Sequence, residues 1–176
     1  MKLARLLVEQ ILWVAFACLL AGLFGALHNQ ISFTVSHEYF TRFKFIQFRI
    51  PPTVPPRLGA SIVGWLASWW MGPLLAACIL PVAHCTSQPT QRAHRTGKAF
   101  AMVVVVAAAI GLLGLLLAVV TGDPETIEPL WRYGDAIDND LAFARAGTMH
   151  NFSYLGAAVG CMAAIFWLFK SRHASS

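Results

Sequence analysis

Four apolar stretches, each long enough to cross a bilayer, decide what this chain can fold into. They run roughly Leu3–Leu27, Leu58–Val82, Phe100–Val120 and Met149–Phe169. About 20 apolar residues span the hydrocarbon core as a helix, because in lipid every backbone N–H and C=O must be satisfied within the segment. The sequence therefore predicts an all-α fold. A four-helix transmembrane bundle forms one domain over residues 1–176, with short helical or extended segments facing outward. Composition agrees: 12% of residues are charged and 57% hydrophobic, against about 25% and 45–50% in soluble domains. The lipid bilayer is thus the first partner. The net charge of +5 is scattered between apolar runs, and no nucleic-acid-binding motif accompanies it, so nucleic acid is not expected as a partner. Cys18, Cys78, Cys85 and Cys161 lie in or beside apolar runs without a CxxC. They read as small buried hydrophobes.

Lysine and arginine set the orientation. Lys2 and Arg5, then Arg92, Arg95 and Lys98, then Lys170 and Arg172 flank the runs on one side, with no acid among them. The other side mixes Arg42, Lys44, Arg49 and Arg57 with Glu38, then carries Asp123, Glu125, Glu128, Asp135, Asp138 and Asp140. The basic side is expected to be cytoplasmic. Both termini and a loop over 83–99 then lie inside, and loops 28–57 and 121–148 face outward. In a bacterium this is an inner-membrane protein with periplasmic outer loops. The basic start Met1–Arg5 looks like a secretory signal. The apolar run behind it is longer than a signal's and ends in no clean small-x-small site, so the first span is expected to be retained.

In the first outer loop Ile31, Phe33 and Val35 alternate with polar residues, which predicts a short extended piece. Ser36 is placed to cap a short helix through Ile46, with Tyr39, Phe40 and Phe43 on one face. Such a helix either lies in the headgroup layer or closes the bundle as a lid. Pro51-Pro52 and Pro55-Pro56 stiffen the approach to span two. In span one Glu9 is expected to pair with Arg5 one turn away. Span two interleaves Trp65, Trp69 and Trp70 with Gly59, Ala60, Gly64 and Ala67, a packing surface, and Pro73 predicts a kink. The inner loop holds His84, Cys85 and His94 but lacks a C-x₂₋₄-C pair and a fourth zinc ligand; a solvated basic loop is expected. Gly111 and Gly114 in span three, and Gly156 and Gly160 in span four, suit close helix packing. Beyond span three, Asp123 and Pro124 read as the start of a helix that Gly134 stops. The acids Asp135–Asp140 lack the spacing and final Glu of a calcium loop.

Two polar clusters carry the candidate chemistry. His28 closes span one, with His37 and Glu38 close behind, and Met149-His150-Asn151-Phe152-Ser153-Tyr154 opens span four. Threading puts both clusters at a common outer depth, so the imidazoles converge if spans one and four are neighbours. Neutral imidazoles with a carboxylate suit a transition metal, and open positions on it would allow redox or hydrolytic chemistry. Two opposed His suit a haem, held non-covalently since there is no CxxCH. His28, His150, Glu38 and His37 are the candidate ligands. Asn29, Asn151 and Tyr154 are candidates for orienting the rings. A pocket for a small ligand without metal stands beside these readings. The plainer alternative is that His and Asn satisfy free backbone groups where helices leave lipid.

The run His28-x-x-Ile31-Ser32-x-Thr34-Val35-Ser36-x-Glu38-Tyr39-Phe40-Thr41-x-Phe43-Lys44-Phe45 is followed by Arg57-Leu58-Gly59 and Gly64-Trp65-Leu66-Ala67-x-Trp69-Trp70-Met71-Gly72. Together these resemble a family of uncharacterised bacterial four-span inner-membrane proteins. Met149-His150-Asn151-Phe152-Ser153-Tyr154-Leu155-Gly156 is similar to the same family. The resemblance covers about half the chain and implies no activity. Members often carry Pro where this chain has His37, which implies His28, Glu38 and His150 ahead of His37. Two functional classes follow: an outward-facing ligand or redox site, or a non-catalytic accessory subunit. The subunit would meet a membrane-protein partner or a second copy through its Gly- and Trp-rich faces. A small transporter is disfavoured, since no span has a polar interior and no repeat is visible.

Overall fold

The computed structural model describes residues 2–122 and 137–172. Its elements, in order, are α1 (Lys2–Val35), a π-helix (Tyr39–Lys44) running into α2 (Phe45–Gln47), α3 (Pro56–Ser68), α4 (Met71–Thr86), α5 (Pro89–Thr121) and α6 (Asp140–Lys170). Among the described residues three helices are long and apolar enough to cross a membrane: Leu6–Val35 of α1, α5 and α6. The pair α3 and α4 passes that test together, bent by 43° at its break. Leu and Val side chains stand exposed along α1 and α5, a surface that lipid, not water, accommodates. The described residues form helices and no strands, and the long apolar helices are those of a membrane protein. The expected helix start at Asp123-Pro124, its stop at Gly134, Asp135 and the side chain of Arg5 lie outside the described residues.

The helices overrun their expected ends. Spans of 3–27, 100–120 and 149–169 become α1 to Val35, α5 from Pro89 and α6 from Asp140. At 34 residues, α1 is about 51 Å long against a hydrocarbon core of about 30 Å. The extra turns carry the polar residues that were expected in loops. Ile31, Phe33 and Val35 are therefore helical, not extended. Gln30 and Asn29 fasten this part of α1 to α3: Gln30 Nε2 donates to Ser61 Oγ at 2.8 Å and to the Arg57 carbonyl at 3.0 Å, and Asn29 Nδ2 to the Ala60 carbonyl at 2.9 Å. Tertiary bonds override the alternating pattern. The inner loop expected over 83–99 shrinks to Ser87-Gln88, both extended, with Pro89 opening α5.

Close packing rests on glycine. Gly25 and Gly64 meet backbone to backbone where α1 crosses α3, and the Trp65 ring lies over Gly22. A Cβ on Gly156 would stand 2.8 Å from the Ala107 Cα, and one on Gly160 2.9 Å from the Val103 Cα, so α5 and α6 touch along their length. Gly111 and Gly114 abut Ser153 and Phe152. The glycine faces expected to receive a partner are consumed within the chain.

The kink expected at Pro73 falls one turn earlier, at Trp69-Trp70. Proline has no N–H for the carbonyl four residues back and its ring crowds that carbonyl. That carbonyl belongs to Trp69, and Gly72 N–H takes it instead at 3.0 Å.

Arginines close helix C-termini, where carbonyls lack partners and the dipole favours a cation. Arg95, expected in a solvated loop, is buried. It donates to the Thr86 carbonyl at the end of α4 (2.9 Å), to the Leu168 carbonyl near the end of α6 (3.2 Å) and to Ser171 Oγ. Arg145 reaches the Ala118 and Val119 carbonyls of α5, each at 3.4 Å. The four cysteines are free thiols; Cys161 is buried, but Cys78 and Cys85 are exposed, contrary to expectation.

Candidate functional site

The lid forms first. Ser36 Oγ accepts the Tyr39 N–H at 3.1 Å, the expected helix-starting cap. The segment then winds as a π-helix, whose wider turn sets Lys44 over Tyr39. Phe40 is fully buried, and Tyr39 packs on Phe143 of α6 at 5.1 Å. The segment closes the bundle; it does not lie apart on the surface. Beneath it Tyr39 stacks on the His150 ring at 5.1 Å and 29°.

The structure brings His28 and His150 together, ring centroids 4.8 Å apart and edge to face. Each imidazole is held by a serine from the other helix. Ser153 Oγ of α6 lies 2.8 Å from His28 Nε2, and Ser32 Oγ of α1 lies 3.1 Å from His150 Nε2. The hydroxyl protons assign the tautomers. Ser153 donates to the Met149 carbonyl at 3.0 Å, so its oxygen accepts from His28 Nε2–H. Ser32 reaches its own helix only at 3.5 Å, which leaves its proton for His150 Nε2.

The pair looks into a cavity of about 70 Å³ lined also by Asn29, Lys44, Ser153 and Tyr154, over a floor that includes Met71, Leu75 and Ala107. One water needs roughly 10–15 Å³ on this measure, so several waters or a small ligand fit. Lys44 Nζ sits 4.3 Å from the Phe43 ring centroid and donates to Gln47 Oε1 at 3.1 Å. Burial lowers its pKa. Burial, with a smaller contribution from Tyr154, raises that of Tyr39, which stays a neutral phenol. Among the described residues no carboxylate lines the cavity.

The other candidates lie elsewhere or do other work. The Glu38 carboxylate accepts the amides of Asp138 (2.8 Å) and Asn139 (3.0 Å) at the start of α6. From there to His150 is eleven residues of helix, about 16 Å. His37 is exposed and packs against Phe33 at 4.9 Å. Asn151 is exposed on α6; Asn29 Nδ2 donates to the Ala60 carbonyl while its side chain stays beside His28 in the cavity wall. Tyr154 lines the cavity while 46% exposed. Among the described residues no group of three or more His, Cys, Asp or Glu is placed to hold a metal ion, His84, Cys85 and His94 included. The touching rings leave no slot for a haem macrocycle between them.

Reading the sequence missed Ser32, Ser153, Lys44 and Tyr39. The signal was there: each serine follows a His by four or three residues, one turn along a helix face. In comparisons with known proteins, no protein family, no curated protein and no solved structure matches this chain.

Proposed function

We propose that this is a four-span inner-membrane protein of a bacterium, both termini cytoplasmic, whose outward end binds a small ligand presenting oxygen acceptors. The observation that carries the reading is the reciprocal His–Ser cluster with Lys44 above it around a cavity: beyond the bonds to the serines and Gln47, the second ring N–H of His150 and further N–H groups of Lys44 remain to donate, and no carboxylate of the described residues lines the space. Buried polar groups are costly unless they find partners, and a ligand oxygen supplies one. His28 and His150 contact the ligand, Lys44 gives its charge, and Tyr154 borders the mouth. A metal would have two imidazoles and no carboxylate, and both Nε2 atoms are already engaged, so the metal and haem readings rank below a metal-free ligand.

Native mass spectrometry of protein extracted in mild detergent tests this. A bound small molecule of fixed mass is expected in the wild type and lost in a folded His28→Ala/His150→Ala double variant. Retention of the molecule by the double variant sinks the reading, and a metal lost from that variant restores the metal alternative. Orientation is tested in a cysteine-free chain. Gln47→Cys should label from outside the cell, and Gln91→Cys only after permeabilisation.

One observation favours the accessory-subunit reading. Trp65, Trp69 and Trp70 are 36%, 44% and 48% exposed on the bent pair. A stoichiometric partner that co-purifies equally with the double His variant would support it.

A further inference from the structure

The cavity under the imidazoles has a neighbour. A hollow of about 390 Å³ lies in the seam between α1 and α5, and every residue lining it except His28 is apolar. The two spaces share the walls Phe24, His28 and Val104. One layer of side chains divides a chamber with a polar end from a groove on the lipid-facing surface.

Length and polarity say what fits. Along α1 the groove runs from Leu20 to Ile31, eleven residues or about 16 Å. That is half of a hydrocarbon core of about 30 Å, one leaflet's depth. His28 and the chamber's polar side chains, Asn29, Lys44 and His150, stand toward one end of it; the other end, at Leu20, lies near the middle of α1. A lipid in the outer leaflet has the same order, head at the rim and chain toward the midplane. Among the described residues the chamber presents one cation, Lys44, with hydroxyl and imidazole groups and no carboxylate. Its charge matches a single anionic head. Its volume, a few waters' worth, admits a carboxylate but not a phosphodiester bearing a further group, and one groove seats one chain.

Resting on the ligand-site reading above, we propose that the occupant is a long-chain carboxylate. Its head lies in the chamber against Lys44 and the His–Ser cluster, and its chain passes between Phe24 and Val104 into the α1–α5 groove. The ligand enters sideways from the membrane, so the lid over the chamber need not open. Ala108 borders the groove but not the chamber, which lets the two halves of the site be perturbed separately.

The test uses the full chain in nanodiscs of zwitterionic lipid, with palmitate carrying a mid-chain diazirine as the photoprobe. Crosslinks are expected within 20–31 and 104–112, with palmitate competing at least tenfold better than hexadecanol, butyrate or decylubiquinone. Ala108→Trp and Lys44→Gln should each weaken labelling about tenfold or more. Crosslinks spread evenly over all lipid-facing helices overturn the proposal, as does equal competition by hexadecanol; this wild-type map holds even if a variant fails to fold. Stronger competition by decylubiquinone overturns it in favour of a quinone. The ¹⁵N signals of the two imidazoles separate the two claims. If butyrate shifts them as well as palmitate does, and Ala108→Trp is silent, the lipid proposal fails while the small-ligand reading stands. If neither carboxylate shifts them, the lipid proposal falls, and the small-ligand reading falls with it when native mass spectrometry also finds no bound molecule.

Discussion

Replacing Gly64 by Ala tests whether the α1–α3 crossing sets the site. A Cβ at Gly64 would stand 2.5 Å from the Gly25 carbonyl carbon and 2.8 Å from the Ala26 nitrogen. Ordinary contact begins near about 3.5 Å. The obstacles are backbone atoms of a rigid helix, so α1 and α3 must part by about 1 Å. One turn away, the 2.9 Å bond from Asn29 to the Ala60 carbonyl would then stretch to about 3.9 Å, past hydrogen-bonding range. Overpacking costs about 1–3 kcal/mol, and an interhelical bond in a membrane protein adds about 0.6, at most about 1.7. The expected loss is about 2–4 kcal/mol, read by SDS-titrated unfolding in mixed micelles followed through tryptophan fluorescence. Gly97→Ala is the control: its Cβ would meet only the Trp13 ring, at 3.9 Å, and helix propensity favours Ala by about 1 kcal/mol. Because the parted helices have already lost the Asn29 bond, Asn29→Val should cost less in the Gly64→Ala background than alone. A Gly64→Ala protein within about 0.5 kcal/mol of wild type, or additive effects of the two changes, would refute the reasoning.

Three further outcomes are expected. Arg95→Lys should destabilise by about 2–3 kcal/mol in the same titration, nearly as much as Arg95→Met, because one ammonium cannot serve carbonyls on two helices as the guanidinium fork does. Glu38→Ala should cost about 1 kcal/mol and speed amide hydrogen exchange at Asp138–Ala142 while leaving palmitate labelling unchanged; loss of labelling would return Glu38 to the ligand set. Burial lowers the Lys44 pKa from its ordinary 10.5, so between the lowered value and 10.5 the unfolded chain holds a proton that the native protein has released. Stability should therefore rise with pH across that window. The rise in melting temperature should flatten in Lys44→Gln, and an equal rise in both proteins would count against it.

How much of this could be read from the sequence depends on where lipid stops dictating. Within the hydrocarbon core every segment must be helical, so the long apolar helices were legible from Leu, Val and Ala runs alone. Past the core both helix and loop are allowed, and the choice falls to single tertiary bonds. Asn29 and Gln30 hold α1 helical to Val35 by bonding α3, and no local pattern announces that Ala60 will be their partner. That error hid the site. Treated as an exit from the membrane, the stretch after His28 has no helical face, so Ser32 could not be placed one turn above it. Once α1 is continued, His28–Ser32 on one helix and His150–Ser153 on the other form matching pairs, each serine serving the opposite imidazole. Glu38 misled for a related reason. A carboxylate near two histidines in the chain suggests a metal, but a helix N-terminus offers a carboxylate unpartnered amides and a favourable dipole. The start of α6 at Asp140 was itself placed nine residues too late, at Met149. The amides that claim Glu38 belong to Asp138 and Asn139, which the later start had left in a loop. A single physical fact, that helices here outrun their apolar stretches, thus created the serine pairs and removed the carboxylate from them.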